Sequence, residues 1–509
     1  MNTLTSKQYN YRIICYYSGY IVIGTALLML IPVIVALLFR EFEPMLDFII
    51  AFTSSLFSGL LLVNIGIKAL PNKKSLQWKH GFIIVALSWL IITLLSAIPY
   101  RLSGHSMSYL DACFDVMSGL TTTGVVLLQD IDHISLSLNT WRHILTFIGG
   151  QGVVVLALTF LVHQIGGGYK IYVGEAKDIE LAPNVRNTAR IIWKISLYYL
   201  LIGTIILWII GIFIGLNPLS SFFHAIFMFV SSWSTGGFSP MSQNIMYYHS
   251  FIYETATLLL FILGSLNFGI HYAVIKNNKK EIYKNIEIQS FFITSVLACS
   301  LIAISLFRSG VYTDSLTIFR RVVFNILSAH TTTGLGSVYA QDFARDWGSF
   351  ALLIMIISML IGGSACSTAG GFKGLRVGIL VKGLISDIKK ALASERNIHS
   401  FKYHYFKDQV LDDKVIKSSA LIIICYITTF TIGTLLSTFY GYPFLESAFE
   451  SASVTGNVGL SIGIISPSIP SLLKYYYIFT MFIGRLEFLS VFVLIGYIIG
   501  GVTKLWKKR

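Results

Sequence analysis

Apolar segments of transmembrane length recur along the whole chain, near residues 11–39, 46–69, 80–100, 141–164, 190–216, 251–275, 288–307, 347–380, 416–440 and 473–503. Crossing about 30 Å of hydrocarbon takes roughly 20 apolar residues in a helix. Backbone in lipid must satisfy its own hydrogen bonds, which leaves helices and closed barrels as spanning structures. Segments this long read as helices, so an all-α membrane protein with about ten spans is expected. Charged residues make up only 12% of the 509, against roughly 25% in a soluble domain. The segment starting near Tyr11 is long enough to stay in the membrane, and no small-residue cleavage site of a signal peptide precedes it.

The connections alternate in charge. One set carries Lys68, Lys73, Lys74 and Lys79, then Lys170, Lys177, Arg186 and Arg190, then Lys276, Lys279, Lys280 and Lys284. It continues with Lys382, Lys389, Lys390, Arg396, Lys402 and Lys407 and ends with Lys504, Lys507, Lys508 and Arg509. The other set is poorer in Lys and Arg and mixed in sign, as at Asp130, Asp132, Asp342, Arg345 and Asp346. Basic loops stay in the cytoplasm, so both termini are expected there. The net charge of +14 is thus a topology signal and implies no nucleic-acid partner. Cys15, Cys113, Cys299, Cys366 and Cys425 stand singly, without the spacing of a disulfide framework or a zinc site.

Four shorter apolar runs lie between the long segments, near 109–121, 220–234, 317–331 and 444–455, and each is followed by Thr, Gly and Ser. They are too short to cross and suit re-entrant helices. All four share one register. Phe114, Phe227, Phe324 and Phe449 are followed four residues later by Ser118, Ser231, Ser328 and Ser453, and ten residues later by Gly124, Gly237, Gly334 and Gly459. Two residues before each glycine stands Thr122, Thr235, Thr332 or Asn457; one residue after it stands Val125, Phe238, Leu335 or Leu460. Small residues also serve close helix packing, which is the alternative for any one loop but does not account for four in register. The repeated unit is span, short helix, Thr/Gly loop, span. It divides the chain into 1–79, an N-terminal pair of helices, and four pore repeats at 80–169, 170–284, 285–410 and 411–509. Non-helical backbone at membrane depth is tolerated where protein or a water-filled cavity surrounds it, so four loops meeting on one pseudo-fourfold axis would satisfy that condition together. Carbonyl oxygens turned to the axis can replace an ion's hydration shell.

With these motifs in view, the sequence resembles the Trk/Ktr/HKT superfamily of potassium transporters, nearest its bacterial Trk branch. The resemblance runs from about residue 80 to the end and includes the two added N-terminal spans. It is carried by SGLTTTG (118–124), STGGFS (234–239), SAHTTTG (328–334) and TGNVGL (455–460), with IGGQGVVVLAL (148–158), GGSACSTAGGFKGLRV (362–377) and GRLEF (484–488) between them. It implies K+ as the transported ion, with no organic cofactor on this chain, and location in a bacterial inner membrane. It also implies a homodimer in which each subunit has its own pore, with a cytoplasmic nucleotide-binding regulatory ring beneath. The chain lacks a G-x4-G-K-[ST] motif, so a nucleotide would bind that separate partner. The implied filter comprises Thr122, Thr123, Gly124 and Val125; Thr235, Gly236, Gly237 and Phe238; Thr332, Thr333, Gly334 and Leu335; and Asn457, Val458, Gly459 and Leu460. Plant relatives that favour sodium have serine at the place of Gly124, so potassium is expected; a sodium or sodium/potassium-coupled transporter of the same fold is the alternative. Asn457 and Val458 depart from the threonines of the first and third loops, and Cys366 stands where glycine is more usual.

Gly362, Gly363, Ser364, Ser367, Thr368, Gly370, Gly371 and Lys373 interrupt the span after the third loop. Each helix-interior glycine costs about 1 kcal/mol relative to alanine, so a broken span is expected; by resemblance it is a gating loop. Lys373 and Arg376 at its lower end read as side chains snorkelling to the interface. Arg485 lies deep in the last span, where a charge faces a cavity or a partner; the family suggests a place below the filter, and Glu487 or Glu450 would be the alternative partner. Asp111, Asp115, Glu446 and Glu450 read as carboxylates complementing the starts of the first and fourth short helices, rather than as the paired acids of a membrane-embedded transferase. His105, His224, His271 and His330 show no ligand spacing, and no span carries the arginine at every third position that a voltage sensor needs.

Overall fold

The computed structural model describes residues 6–67, 77–106, 108–152, 185–312, 314–392 and 401–506. The basic connections at 68–76, 153–184 and 393–400, and the 153–164 end of the fourth expected span, lie outside the described residues. Helix α1 (Ser6–Leu28) continues into α2 (Leu30–Phe39) with a break only at Met29, and α3 (Phe42–Ile67) returns along them. Glu41, in the turn between α2 and α3, ties this pair to the rest. Its carboxylate accepts from the backbone N–H groups of Leu136 and Ser137 at 2.7 and 3.0 Å, at the start of a helix whose free N–H groups favour an anion.

Four sets of elements follow. The first is α4 (Trp78–Leu102), α5 (Tyr109–Leu120) and α6 (Leu136–Gln151). The second is α7 (Val185–Phe213), α8 (Pro218–Trp233), α9 (Phe251–Ser265) and α10 (Phe268–Ile275). The third is α11 (Glu281–Lys284), α12 (Ile286–Ser309), α13 (Ser315–His330), α14 (Ala340–Arg345), α15 (Gly348–Ile361) and α16 (Gly374–Leu392). After a short hairpin comes the fourth, α17 (Asp413–Phe439), α18 (Phe444–Thr455), α19 (Ser471–Arg485) and α20 (Leu489–Trp506).

The short helices α5, α8, α13 and α18 sit innermost. Residues 111–120 of α5 and 447–455 of α18 are buried throughout. The long helices surround them and turn large apolar side chains outward: Leu201 is 64%, Phe307 70% and Phe439 82% exposed. A belt of such side chains has no place in water. Among the described residues six spans are long and apolar enough to cross a bilayer, counting α1 with α2 as one, or up to eight if each bent helix pair is one span, against the ten expected. The fold is an all-α, multi-pass membrane protein.

Two expected spans are not straight. α9 and α10 meet at 97°, and α19 and α20 at 116°. The first break is set by Asn267, which is fully buried: its carbonyl oxygen caps α10 by accepting from Gly269 N at 2.8 Å, while its amide donates to Glu287 at 3.1 Å. At the second, Glu487 and Phe488 take positive φ of 49° and 68°, a conformation that cannot continue a helix.

Buried ion pairs join neighbouring sets. Lys474 of α19 reaches Asp111 of α5 at 2.6 Å. Arg320 of α13 makes two bonds to Glu254 of α9, at 2.5 and 2.6 Å. Asp111, Lys474 and Glu254 are buried, and any of them left without its partner would be costly; Arg320 is partly exposed. On the basic side, strands β1 (Lys402–Tyr405) and β2 (Lys407–Val410) form an antiparallel hairpin that the sequence reading did not anticipate, with Lys402 opposite Val410. Its His404 bonds Asp408 at 2.7 Å and Glu281 of α11 at 3.2 Å, and the Asp408 carboxylate raises the imidazole's pKa above its ordinary value. The stabilisation from this contact is therefore full at low pH and is lost as pH rises through the raised value.

Candidate functional site

The four short helices end in the same way. In α5 the N–H of Thr122 bonds the carbonyl of Gly119 at 3.0 Å and that of Thr123 bonds Ser118 at 2.8 Å. The pair recurs as Thr235 to Ser232 and Gly236 to Ser231, Thr332 to Ala329 and Thr333 to Ser328, and Asn457 to Val454 and Val458 to Ser453. This is the Schellman cap, whose left-handed residue is usually glycine. Here Thr122, Thr235, Thr332 and Asn457 fill it, with φ of 54°, 49°, 56° and 54°. Two residues on, Gly124, Gly237, Gly334 and Gly459 turn positive again, with φ of 90°, 71°, 80° and 97°.

The second turn brings the loops against one another. A Cβ on Gly124 would lie 2.7 Å from the carbonyl oxygen of Gly236, and one on Gly237 2.5 Å from that of Thr333. A Cβ on Gly334 would lie 2.1 Å from the oxygen of Val458, and one on Gly459 2.0 Å from that of Thr123. Each loop thus leans on the next and the last returns to the first, closing a ring with no room for a side chain. A cavity of about 330 Å³ is lined by all four glycines together, and by Val125, Phe238 and Leu460; Leu335 is fully buried behind.

The ring is not chemically uniform. In the first and third loops Thr121 and Thr331 bond the hydroxyls of Thr123 and Thr333, both at 2.7 Å. In the fourth, the Asn457 amide donates to Thr123 Oγ1 and to the Met481 carbonyl, each at 3.0 Å. The departure from threonine therefore staples the fourth loop to the first.

Residues 362–373 break the third inner span between α15 and α16 and pass under the ring. Gly370 N donates to Thr332 Oγ1 at 2.7 Å, and Thr235 Oγ1 lies 3.1 Å from Thr368 Oγ1. Thr368 also donates to Gly264 O at 2.8 Å, and Ser367 Oγ to Ser364 O at 2.6 Å. Gly362, Gly371 and Lys373 have φ between 73° and 76°, and Cys366 has 50°, a conformation that glycine adopts more readily than cysteine. Gly363 has no room for a side chain, since a Cβ there would lie 2.6 Å from that of Ala369.

Arg485 bridges the loop to the first set, donating to Thr368 O at 2.5 Å and to Gly149 O at 2.7 Å. Glu450 accepts from Ile462 N at 3.0 Å. Glu487 forms an ion pair with Arg376, and Lys373 is 6% exposed with its ammonium on the Ala369 carbonyl. Both Lys373 and Arg376 line a cavity shared with Tyr403 and Tyr405 of the hairpin.

Comparison with known proteins places this arrangement. The family model described as TrkH, cation transport protein, matches residues 52–499. The chain belongs to this family. It is 30% identical to the Trk system potassium uptake protein TrkG of Escherichia coli, over 95% of this chain and 97% of the relative. An uncharacterized cation transporter of Methanocaldococcus jannaschii is 29% identical over 94% of each chain. The crystal structure of the potassium transporter TrkH from Vibrio parahaemolyticus superimposes with a TM-score of 0.80 at 26% identity, covering 95% of this chain and 98% of that one.

Two features of this family member were missed or misread from sequence. A second repeated signal lies on the inner spans, at Gly149, Gly264, Gly362 and Gly484. In three sets a Cβ there would strike the end of the short helix, at 1.9 Å from Leu120 O, 2.1 Å from Trp233 O and 2.6 Å from Thr455 O. The residue after it is Gly150, Ser265, Gly363 or Arg485, so the arginine stands where the other three sets are small. The second concerns the carboxylates. Asp111 and Glu446 do lie in first helical turns, but Asp115 and Glu450 sit mid-helix and accept from backbone beyond the ring: Leu127 N at 2.6 Å and Ile462 N at 3.0 Å. Of the histidines, His330 bonds Thr294 and His224 bonds Tyr248. The described residues contain no group of three or more His, Cys, Asp or Glu that could hold a metal ion.

Gly310 and Gly334 provide a matched test of the ring. Both have positive φ, 69° and 80°, but nothing lies within 4 Å of a Cβ on Gly310. Alanine at either position is expected to cost the roughly 1–2 kcal/mol of a left-handed residue, and Gly334→Ala further, because the fourth loop must move. Thermal unfolding in detergent should give a clearly larger loss for Gly334→Ala; equal losses would contradict the closed ring.

Proposed function

We propose that this chain takes up potassium through the ring of loops, with the membrane potential as driving force. The closed ring of Gly124, Gly237, Gly334 and Gly459 carries the reading. Two left-handed turns per loop present successive carbonyls to one axis, and rings of carbonyls suit a dehydrated monovalent cation. The four short helices direct their negative C-terminal ends at the same region. Potassium is supported by the names of the relatives, the potassium uptake protein TrkG among them, and by glycine rather than serine at residue 124. A potential negative inside supplies about 2.3 kcal/mol per charge per 100 mV.

In this reading residues 80–169, 170–284, 285–410 and 411–509 are four pore modules, with both termini in the cytoplasm of a bacterial inner membrane. The 362–373 loop is the gate: it lies under the filter, hangs on Thr235 and Thr332, and is latched by Arg485, whose charge opposes a cation below the ring. The unit is a homodimer served by a cytoplasmic nucleotide-binding subunit.

Expression in a bacterium lacking its own uptake systems should restore growth at low potassium and drive rubidium accumulation. Membrane-inserted protein, supplied with its regulatory partner, that supports neither would refute the proposal; uptake strictly dependent on sodium would favour the coupled alternative. For the gate, Arg485→Ala releases Thr368 and removes the blocking charge, so rubidium flux into proteoliposomes should rise several-fold. Unchanged flux would remove Arg485 from the barrier.

A further inference from the structure

The caps described above fix the inner end of each filter loop. Its outer end, three residues beyond the glycine, is fixed differently. One residue after the register phenylalanine, the first, third and fourth short helices carry Asp115, Asn325 and Glu450, all at most 1% exposed. Each accepts from the same backbone position: Asp115 from Leu127 N at 2.6 Å, Asn325 from Ser337 N at 3.1 Å and Glu450 from Ile462 N at 3.0 Å. Leu127, Ser337 and Ile462 are each the third residue after the filter glycine.

The second loop breaks this rule on both sides of the bond. The helix residue is Met228, which offers no strong acceptor, and the loop residue is Pro240, which has no N–H to donate. This loop is held instead through its carbonyls, by donors on α6. Asn139 Nδ2 lies 3.3 Å from Pro240 O, and Arg142 lies 3.4 Å from Ser239 O with its guanidinium 4.7 Å over the Phe238 ring. Acceptor and donor have been lost together, and a tether of reversed polarity replaces them.

We propose that Asp115, Asn325 and Glu450, with Arg142 and Asn139 in the second quadrant, form a clamp that sets the filter's preference for potassium over sodium. The proposal rests on the reading of the four loops as a potassium filter. A carbonyl ring rejects the smaller ion when its oxygens are held from collapsing inward, and loops pinned at the inner end alone would be free to do so. Because a neutral asparagine makes the same bond as the two carboxylates, the clamp works through the acceptor and not through charge. These are positioning residues: they act on the filter through its backbone.

The test is the rubidium-to-sodium flux ratio in proteoliposomes. Asn325→Leu and Glu450→Leu leave a buried N–H without its acceptor, and the ratio should fall by roughly tenfold. Asp115→Asn and Glu450→Gln keep an acceptor and should stay near the parent ratio. Where a leucine does not fit, Asn325→Ala replaces it with the same expectation. A parent protein without preference between the ions would overturn the filter reading and the clamp with it. A selective parent whose folded leucine and alanine variants are equally selective would overturn the clamp alone. Loss of selectivity in Asp115→Asn and Glu450→Gln would also overturn it, assigning the effect to charge.

Discussion

The structure depends on one condition: irregular backbone held at membrane depth must be enclosed by protein. Each Thr/Gly loop contains two left-handed turns and cannot complete its own surroundings. It is enclosed by the next loop, close enough that the carbonyl before the neighbouring glycine excludes a Cβ. No single set of helices could therefore hold its loop in lipid alone. The four sets, the buried pairs Lys474–Asp111 and Arg320–Glu254, and the burial of the short helices all serve to close that ring.

The fourfold frame is used asymmetrically. The ring repeats one backbone geometry, yet the chemistry beneath it comes from particular sets. The third breaks its inner span to supply residues 362–373; the fourth supplies Arg485 where the others have Gly150, Ser265 and Gly363. The broken loop is held from below as well, since the fully buried Glu287 accepts from Ala365 N at 2.6 Å and from Asn267, whose amide is also 3.1 Å from Tyr405 of the hairpin. A continuous line of hydrogen bonds thus runs from the basic-side hairpin to the loop under the ring. Four non-identical repeats thus combine a symmetric ring with a one-sided loop beneath it.

Much of this was legible in sequence because its cause is local. The Phe-to-Gly register follows from helix length and the two left-handed turns, and the 362–373 break follows from its glycines. What was not legible depends on distant partners. The bends at Asn267 and Glu487 lie in apolar stretches with no proline, and arise from a buried amide reaching Glu287 and from two left-handed residues. Asp115 and Glu450 resembled helix-start carboxylates because spacing cannot show that their oxygens reach backbone twelve residues on. Arg142 carried no signal in the sequence; its place against Phe238 and Ser239 appears only when two sets are packed together.

The central claim, that the four loops make one cation site on a common axis, is tested most directly by anomalous diffraction from crystals grown in rubidium. The account predicts rubidium peaks on the pseudo-fourfold axis, level with Gly124, Gly237, Gly334 and Gly459 and ringed by carbonyl oxygens from all four loops. An axis without rubidium, or rubidium held by one or two loops away from it, would contradict the account.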